Sequence, residues 1–221
     1  MTRPRVKICG LLRLEDAEAA LRLGAEFLGL NFYAASPRSI EVADAVRLRR
    51  RIGDRARVVG VFVNHPPPQV ELIARRVGLD LLQFHGDEGP GEVEPFGARA
   101  IKVFRVAGPL PHQELAAYPA AWGFLFDSAG RAGPGGAREA GGYGGTGAPW
   151  AWERAGSLPG DRPVFVAGGI RPDNVQDLLA RLSPWGIDVG SGVEAAPGRK
   201  DPALMERLFE EIAYAQDARA T

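Results

Sequence analysis

The stretch VFVAGGIRPDNVQDLLARLSPWGIDVGSGVE, residues 164–194, decides how this chain folds. An apolar run, Val164 to Ala167, stops at the pair Gly168-Gly169. An amphipathic segment follows, and a second apolar run, Ile187 to Val189, stops at Gly190-Ser191-Gly192. A short run apolar on both faces, a glycine stop and a helix-period segment form one unit of a parallel sheet. Parallel strands need a crossover between them, and helices on both sides make the strands read as continuous apolar runs.

Working outward, short apolar runs alternate with amphipathic stretches from end to end. Strands are expected at Arg5–Cys9, Glu26–Phe32, Arg57–Asn64, Leu79–Phe84, Ala100–Val106, Trp122–Asp127, Val164–Ala167 and Ile187–Val189. Helices are expected at Glu15–Leu23, Glu41–Ile52, Pro67–Val77, Pro172–Leu182 and Pro202–Tyr214, with weaker helical stretches at Gly91–Phe96 and Leu110–Tyr118. Pro172 and Pro202 fall in a first turn, where proline is tolerated. Eight units in 221 residues predict one domain over residues 1–221, a closed (β/α)8 TIM barrel. A doubly wound open sheet is the alternative. Against it, no strand is followed by the Gly-x-Gly-x-x-Gly turn that opens a dinucleotide fold.

Composition narrows the function. Lysine plus arginine equals aspartate plus glutamate at 27 each, so there is no basic balance to suggest a nucleic-acid partner. No apolar run is long enough to span a bilayer, and the N-terminal residues lack the pattern of a signal peptide. The single cysteine, Cys9, cannot form an internal disulfide, so a cytoplasmic setting is expected. The three histidines, His65, His85 and His112, are scattered without carboxylate or cysteine at ligand spacing, so no metal is expected.

Chemistry gathers where strands end. A lone cysteine is usually a small buried hydrophobe, but Cys9 closes the first strand, at the end of a barrel where active sites form. Asp127 closes the sixth. An acid and a base on different sides of a barrel mouth can open a sugar ring and move a proton between neighbouring carbons. Lys7 lies two residues before Cys9 and shares its face, so its ammonium is expected to favour the thiolate. Arg38 is either a carboxylate ligand or an exposed loop arginine, and His85 either orients a loop or touches substrate. Gly168, Gly169, Ser191 and Gly192, after strands seven and eight, are expected to bind phosphate through backbone N–H groups. Residues 129–147, nine of nineteen glycine, follow Asp127 directly and read as an active-site lid.

Several of these pieces occur in one order. They are Val6-Lys7-Ile8-Cys9-Gly10 with Glu15-Asp16-Ala17, Ser36-Pro37-Arg38, Gly60-Val61-Phe62-Val63-Asn64 and Gln83-Phe84-His85-Gly86-Asp87-Glu88. Then come Gly144-Gly145-Thr146-Gly147, Ala167-Gly168-Gly169-Ile170-Arg171-Pro172-Asp173-Asn174-Val175, and Ser191-Gly192-Val193-Glu194 through Pro197-Gly198-Arg199-Lys200-Asp201. In this the chain resembles phosphoribosylanthranilate isomerase of tryptophan biosynthesis over nearly its whole length. The resemblance implies a cofactor-free Amadori rearrangement of N-(5-phosphoribosyl)anthranilate to 1-(2-carboxyphenylamino)-1-deoxyribulose 5-phosphate. It implies Cys9 as general base, Asp127 as general acid, Arg38 on the anthranilate carboxylate and Asp188 as a further active-site aspartate. Departures are modest: Leu12 where the family often has threonine, and Trp150 for a common phenylalanine. The expected partner is the small phosphosugar–anthranilate substrate, with no nucleic acid and no membrane, and the chain a monomer or homodimer.

Two rivals differ in the residues they need. The related isomerisation of histidine biosynthesis calls for aspartate at Cys9 and a second glycine loop in the first half-barrel. Here that loop is Asn64-His65-Pro66-Pro67-Pro68, and proline offers no N–H. A phosphosugar-binding barrel without catalysis predicts loss of Cys9 or Asp127, and both are present.

Overall fold

The computed structural model describes residues 3–128, Trp152 and residues 155–220. Eight strands close into a parallel barrel in chain order: β1 (Arg5–Cys9), β2 (Phe27–Asn31), β3 (Arg57–Phe62), β4 (Leu81–Phe84), β5 (Ala100–Val106), β6 (Gly123–Ser128), β7 (Val164–Val166) and β8 (Gly186–Val189). The seam between β8 and β1 is in register at Lys7 opposite Asp188. Helices α1 (Leu14–Arg22), α2 (Val42–Ile52), α3 (Pro67–Val77), α4 (Pro90–Val93), α5 (His112–Leu115), α6 (Val175–Arg181) and α7 (Pro202–Ala220) lie between or after the strands. A small hairpin, β9 (Glu194–Ala196) with β10 (Arg199–Lys200), follows β8. No helix among the described residues is long and apolar enough to cross a membrane.

Strand alternation sorts side chains into two layers. Val6 and Ile8 of β1, Leu28 and Leu30 of β2, and Ile187 and Val189 of β8 join the outer core against the helices. The opposite set fills the barrel: Phe27, Val59, Leu81, Ile101, Val103, Leu125, Phe165 and Ala167 form a separate inner cluster. Phe27, Phe165, Trp122 and Trp185 meet edge-on or tilted at 5.3–6.4 Å between ring centroids. Each large apolar side chain buried this way stabilises the fold by about 1.5–3 kcal/mol. Toward the C-terminal ends of the strands the inner layer turns polar, with Lys7, Gln83, Asp127 and Asp188 all buried. The apolar plug thus forces polar chemistry to one end of the barrel.

Two expectations shift. Residues 171–174 form a turn, closed by Arg171 N–H donating to Asn174 Oδ1 at 2.8 Å, so the helix begins at Val175 and Pro172 precedes it. The helical stretch expected over Leu110–Tyr118 keeps only His112–Leu115, because prolines at 109 and 111 delay its start and Pro119 follows it. The glycine-rich stretch 129–147 lies outside the described residues.

The seam offers a test of inner packing. A Cβ on Gly186 would fall 2.6 Å from the Phe165 ring and 3.1 Å from the Arg5 carbonyl. Gly186→Ala should therefore lower unfolding free energy by about 1–3 kcal/mol in urea titration; an unchanged midpoint would show that this layer yields freely.

Candidate active site

A pocket of about 940 Å3, measured out to its open rim, sits at the C-terminal ends of the strands. Nine of the ten candidates line it: Cys9, Arg38, His85, Asp127, Asp188, Gly168, Gly169, Ser191 and Gly192. The tenth, Lys7, lies beneath, fully buried.

Lys7 Nζ donates to Asp188 Oδ1 at 2.9 Å, between adjacent strands at the seam. The Cys9 thiol stands beside that ammonium, over Gly29. A Cβ at Gly29 would meet Cys9 Sγ at 2.8 Å and Lys7 Nζ at 3.2 Å, so this glycine of β2 makes the room both groups occupy. The surroundings of Cys9 work against the thiolate that Lys7 alone would favour. Burial pushes the Cys9 thiol above its ordinary pKa, the Asp188 carboxylate pushes it the same way, and Lys7 and Lys200 pull down too weakly to reverse this. The reason is local neutrality: Lys7 already has an anion, so little of its charge is left to stabilise a second. Burial alone would lower Lys7, but Asp188 and Cys9 hold it above its usual value and keep it an ammonium.

Asp127 ends β6. Its Oδ1 accepts from Ser128 N–H at 2.7 Å, and its Oδ2 lies 3.1 Å from His85 Nε2, at an angle too bent for a good hydrogen bond. On the far side of the ring, Gln83 Nε2 stands 2.9 Å from His85 Nδ1. The ring thus stands between the Gln83 amide and the Asp127 carboxyl. His85 therefore belongs to the acid side of the pocket. Asp87, two residues on, points outward to Arg105, while Glu88 is buried and takes the N–H groups of Asn64 and Gly86, fastening the loops after β3 and β4.

Arg38 is no exposed loop arginine. Its Nε donates to Glu194 Oε1 and Oε2 at 2.9 and 3.1 Å, and its Nη2 to Oε2 at 2.6 Å. Its stem crosses Gly10, where a Cβ would meet Arg38 Cδ at 2.7 Å and where φ is +76°. The guanidinium edge through Nη1 makes no bond among the described residues.

Gly168 and Gly169 hold φ of +90° and +65°, a region that favours glycine. Their N–H groups donate to no protein group among the described residues. A Cβ at Gly168 would strike Ser128 N and Asp127 Oδ1 at 2.6 and 2.9 Å, so this glycine also lets the two strand ends close up. The expected helical turn exists as a 3-10 segment, Ser191–Val193, and Gly192 packs so tightly that a Cβ would lie 1.8 Å from the Ile170 carbonyl. Both glycine loops thus meet on one side of the pocket, an arrangement suited to an anion. Among the described residues, no three His, Cys, Asp or Glu side chains are placed to hold a metal ion.

Sequence pattern did not single out Gly29, nor Glu194 as the partner of Arg38. A strand glycine carries no chemical signal, and the 156 residues between Arg38 and Glu194 conceal their contact.

The family model for N-(5'-phosphoribosyl)anthranilate isomerase matches residues 6–211. The N-(5'-phosphoribosyl)anthranilate isomerase of Bordetella avium is 40% identical over 224 residues, covering 97% of this chain and 98% of that one. Among solved structures, the phosphoribosyl anthranilate isomerase of Thermus thermophilus superposes with a TM-score of 0.78 at 34% identity, covering 95% of this chain and 98% of that one. Another phosphoribosyl anthranilate isomerase, solved with reduced 1-(o-carboxyphenylamino)-1-deoxyribulose 5-phosphate, gives 0.76 at 28% identity, with 96% and 99% covered.

Because Cys9 is the only cysteine, alkylation reports on it alone. The rate of iodoacetamide modification, followed by mass, should rise with pH around a midpoint above the ~8.5 of a free thiol. Asp188→Asn removes the anion that raises the thiol and frees the charge of Lys7, so the midpoint should move to lower pH. A midpoint unmoved or higher in that variant would contradict the assigned cause.

Proposed function

The chain belongs to the N-(5'-phosphoribosyl)anthranilate isomerase family, and from that premise we propose how its pocket divides the work: Cys9 as general base and Asp127 as general acid. The activity is the isomerisation of N-(5-phosphoribosyl)anthranilate to 1-(2-carboxyphenylamino)-1-deoxyribulose 5-phosphate in tryptophan biosynthesis. The observation that carries the division is the pairing inside one pocket: a thiol beside Lys7 and Asp188, and a carboxyl beside His85.

Asp127 gives a proton to the ribose ring oxygen, the C1–O bond breaks, and the anthranilate nitrogen lone pair forms a Schiff base at C1. Cys9, as thiolate, removes the proton from C2, and those electrons close the enolamine. Tautomerisation adds a proton at C1 and loses one from the C2 hydroxyl, leaving the ketone. Atoms and electrons balance without an outside oxidant or reductant. The raised thiol pKa fits a base that is weak at rest and avid once ionised. His85, 3.1 Å from Asp127, lines the pocket on the side of the acid.

Arg38 takes the anthranilate carboxylate, and Gly168, Gly169, Ser191 and Gly192 take the phosphate; the open Nη1 edge and the unpaired loop N–H groups support these roles. Lys7 and Asp188 border the reacting sugar by way of Cys9. Residues 129–147 complete the site as a lid, a role supported by their glycine content and their place after Asp127. Every named group comes from one chain, which suits a monomer or a homodimer. A single thiol that must stay free suits the cytoplasm.

Turnover is read from the loss of substrate fluorescence with freshly made phosphoribosylanthranilate. The wild-type rate should exceed the spontaneous background by orders of magnitude. Cys9→Ala and Asp127→Asn should each lower kcat by roughly a hundredfold or more with the fold intact by circular dichroism. Wild-type kcat in either variant removes that residue from its role.

A further inference from the structure

Arg38 poses an electrostatic problem. A guanidinium clasped by a carboxylate forms a neutral pair, and a neutral pair has little attraction for a further anion. Yet Arg38 gives Nε and Nη2 to Glu194, which is itself only 4% exposed. The structure answers with a third charge. Lys200, fully buried on β10, sets its Nζ 2.9 Å from Glu194 Oε1 and 3.0 Å from the Gly190 carbonyl. The triad Arg38–Glu194–Lys200 therefore keeps one net positive charge.

The triad is also braced. The backbone N–H of Lys200 donates to the buried carboxylate of Asp16 at 3.1 Å, and that of Gly198 donates to Glu194 Oε1 at 3.3 Å. Gly198, at φ +77°, admits Leu12 and the Pro37 carbonyl so closely that a Cβ would meet them at 2.7 and 3.3 Å. The hairpin after β8 is thereby pressed onto the loop that carries Arg38. Gly190, held by Lys200, is the residue just before the Ser191-Gly192 turn. One buried chain of contacts runs from the arginine to the phosphate loop.

From this we infer that Glu194 and Lys200 are positioning residues for substrate recognition: Glu194 fixes the guanidinium so that its other edge faces the pocket, and Lys200 restores the positive charge that Glu194 cancels. The inference rests on Arg38 reading the aryl carboxylate, and it gives the closing hairpin a role in choosing a carboxylated arylamine over a bare one. Burial holds the Lys200 pKa below its ordinary value even against the pull of Glu194, so the charge rests on that contact and on the Gly190 carbonyl.

Two variants separate charge from geometry. Lys200→Met keeps Glu194 on Arg38 but leaves the pair neutral. The double variant Glu194→Leu/Lys200→Met removes the clasp yet leaves the net charge as before, and the one ion it leaves without its partner, Arg38, lines the open pocket. Each is titrated calorimetrically with reduced 1-(o-carboxyphenylamino)-1-deoxyribulose 5-phosphate and with the same compound made from aniline, which lacks the carboxylate. Both variants should lose about tenfold in affinity for the carboxylated ligand and less than about twofold for the other. Lys200→Arg, which keeps the charge, should recover most of the loss seen in Lys200→Met. Equal losses for the two ligands mean a merely structural role, and no loss in either variant means no role; each overturns the inference. A wild-type protein that binds both ligands equally overturns the reading of Arg38 itself, and this inference with it.

Discussion

The ion pair between Lys7 and Asp188 is the constraint on which the site depends. It lies at the seam where the last strand meets the first, with both residues pointing into the barrel and both buried. A buried ammonium or carboxylate alone would be destabilising by several kcal/mol, so each requires the other. The pair adds little net stability, but it requires one register at the seam. A slip of one residue in either strand would turn its charged side chain toward the helices and leave the other buried without a partner.

That register sets the chemistry above it. With Lys7 satisfied by Asp188, the thiol of Cys9 meets a nearly neutral neighbourhood and burial governs its ionisation. The barrel thereby separates two kinds of group across one pocket. On one side is a hard-to-ionise thiol, and on the other a carboxyl beside a histidine. Differences of environment, more than of residue type, assign acid and base here. Glycines matter as absences of a side chain: Gly29 beside the thiol, Gly168 beside the acid and Gly192 between the two anion loops.

Much of this was legible from sequence, for physical reasons. Strands that are apolar on both faces and end at glycine give the parallel barrel, and the eight-fold repeat closes it. Cys9 and Asp127 stood out because reactive side chains at strand ends fall at one rim. The anion loops at 168–169 and 191–192 were legible because glycine, lacking Cβ, lets backbone N–H groups approach an anion. Element ends were less legible: Pro172 lay outside its helix because the Asn174 side chain closed a tighter turn first.

By itself, then, the sequence determined the order of strands and helices, which end of the barrel carries chemistry, and which residues are equipped for proton transfer. These are local properties, set by side-chain periodicity and by residue type. Only the tertiary structure decided that Lys7 spends its charge on Asp188, that burial and Asp188 raise the pKa of Cys9, and that Arg38 is clasped by Glu194 with Lys200 behind it. Each of these depends on distance and burial between groups as many as 181 residues apart, and Coulomb energy and desolvation are set by that geometry.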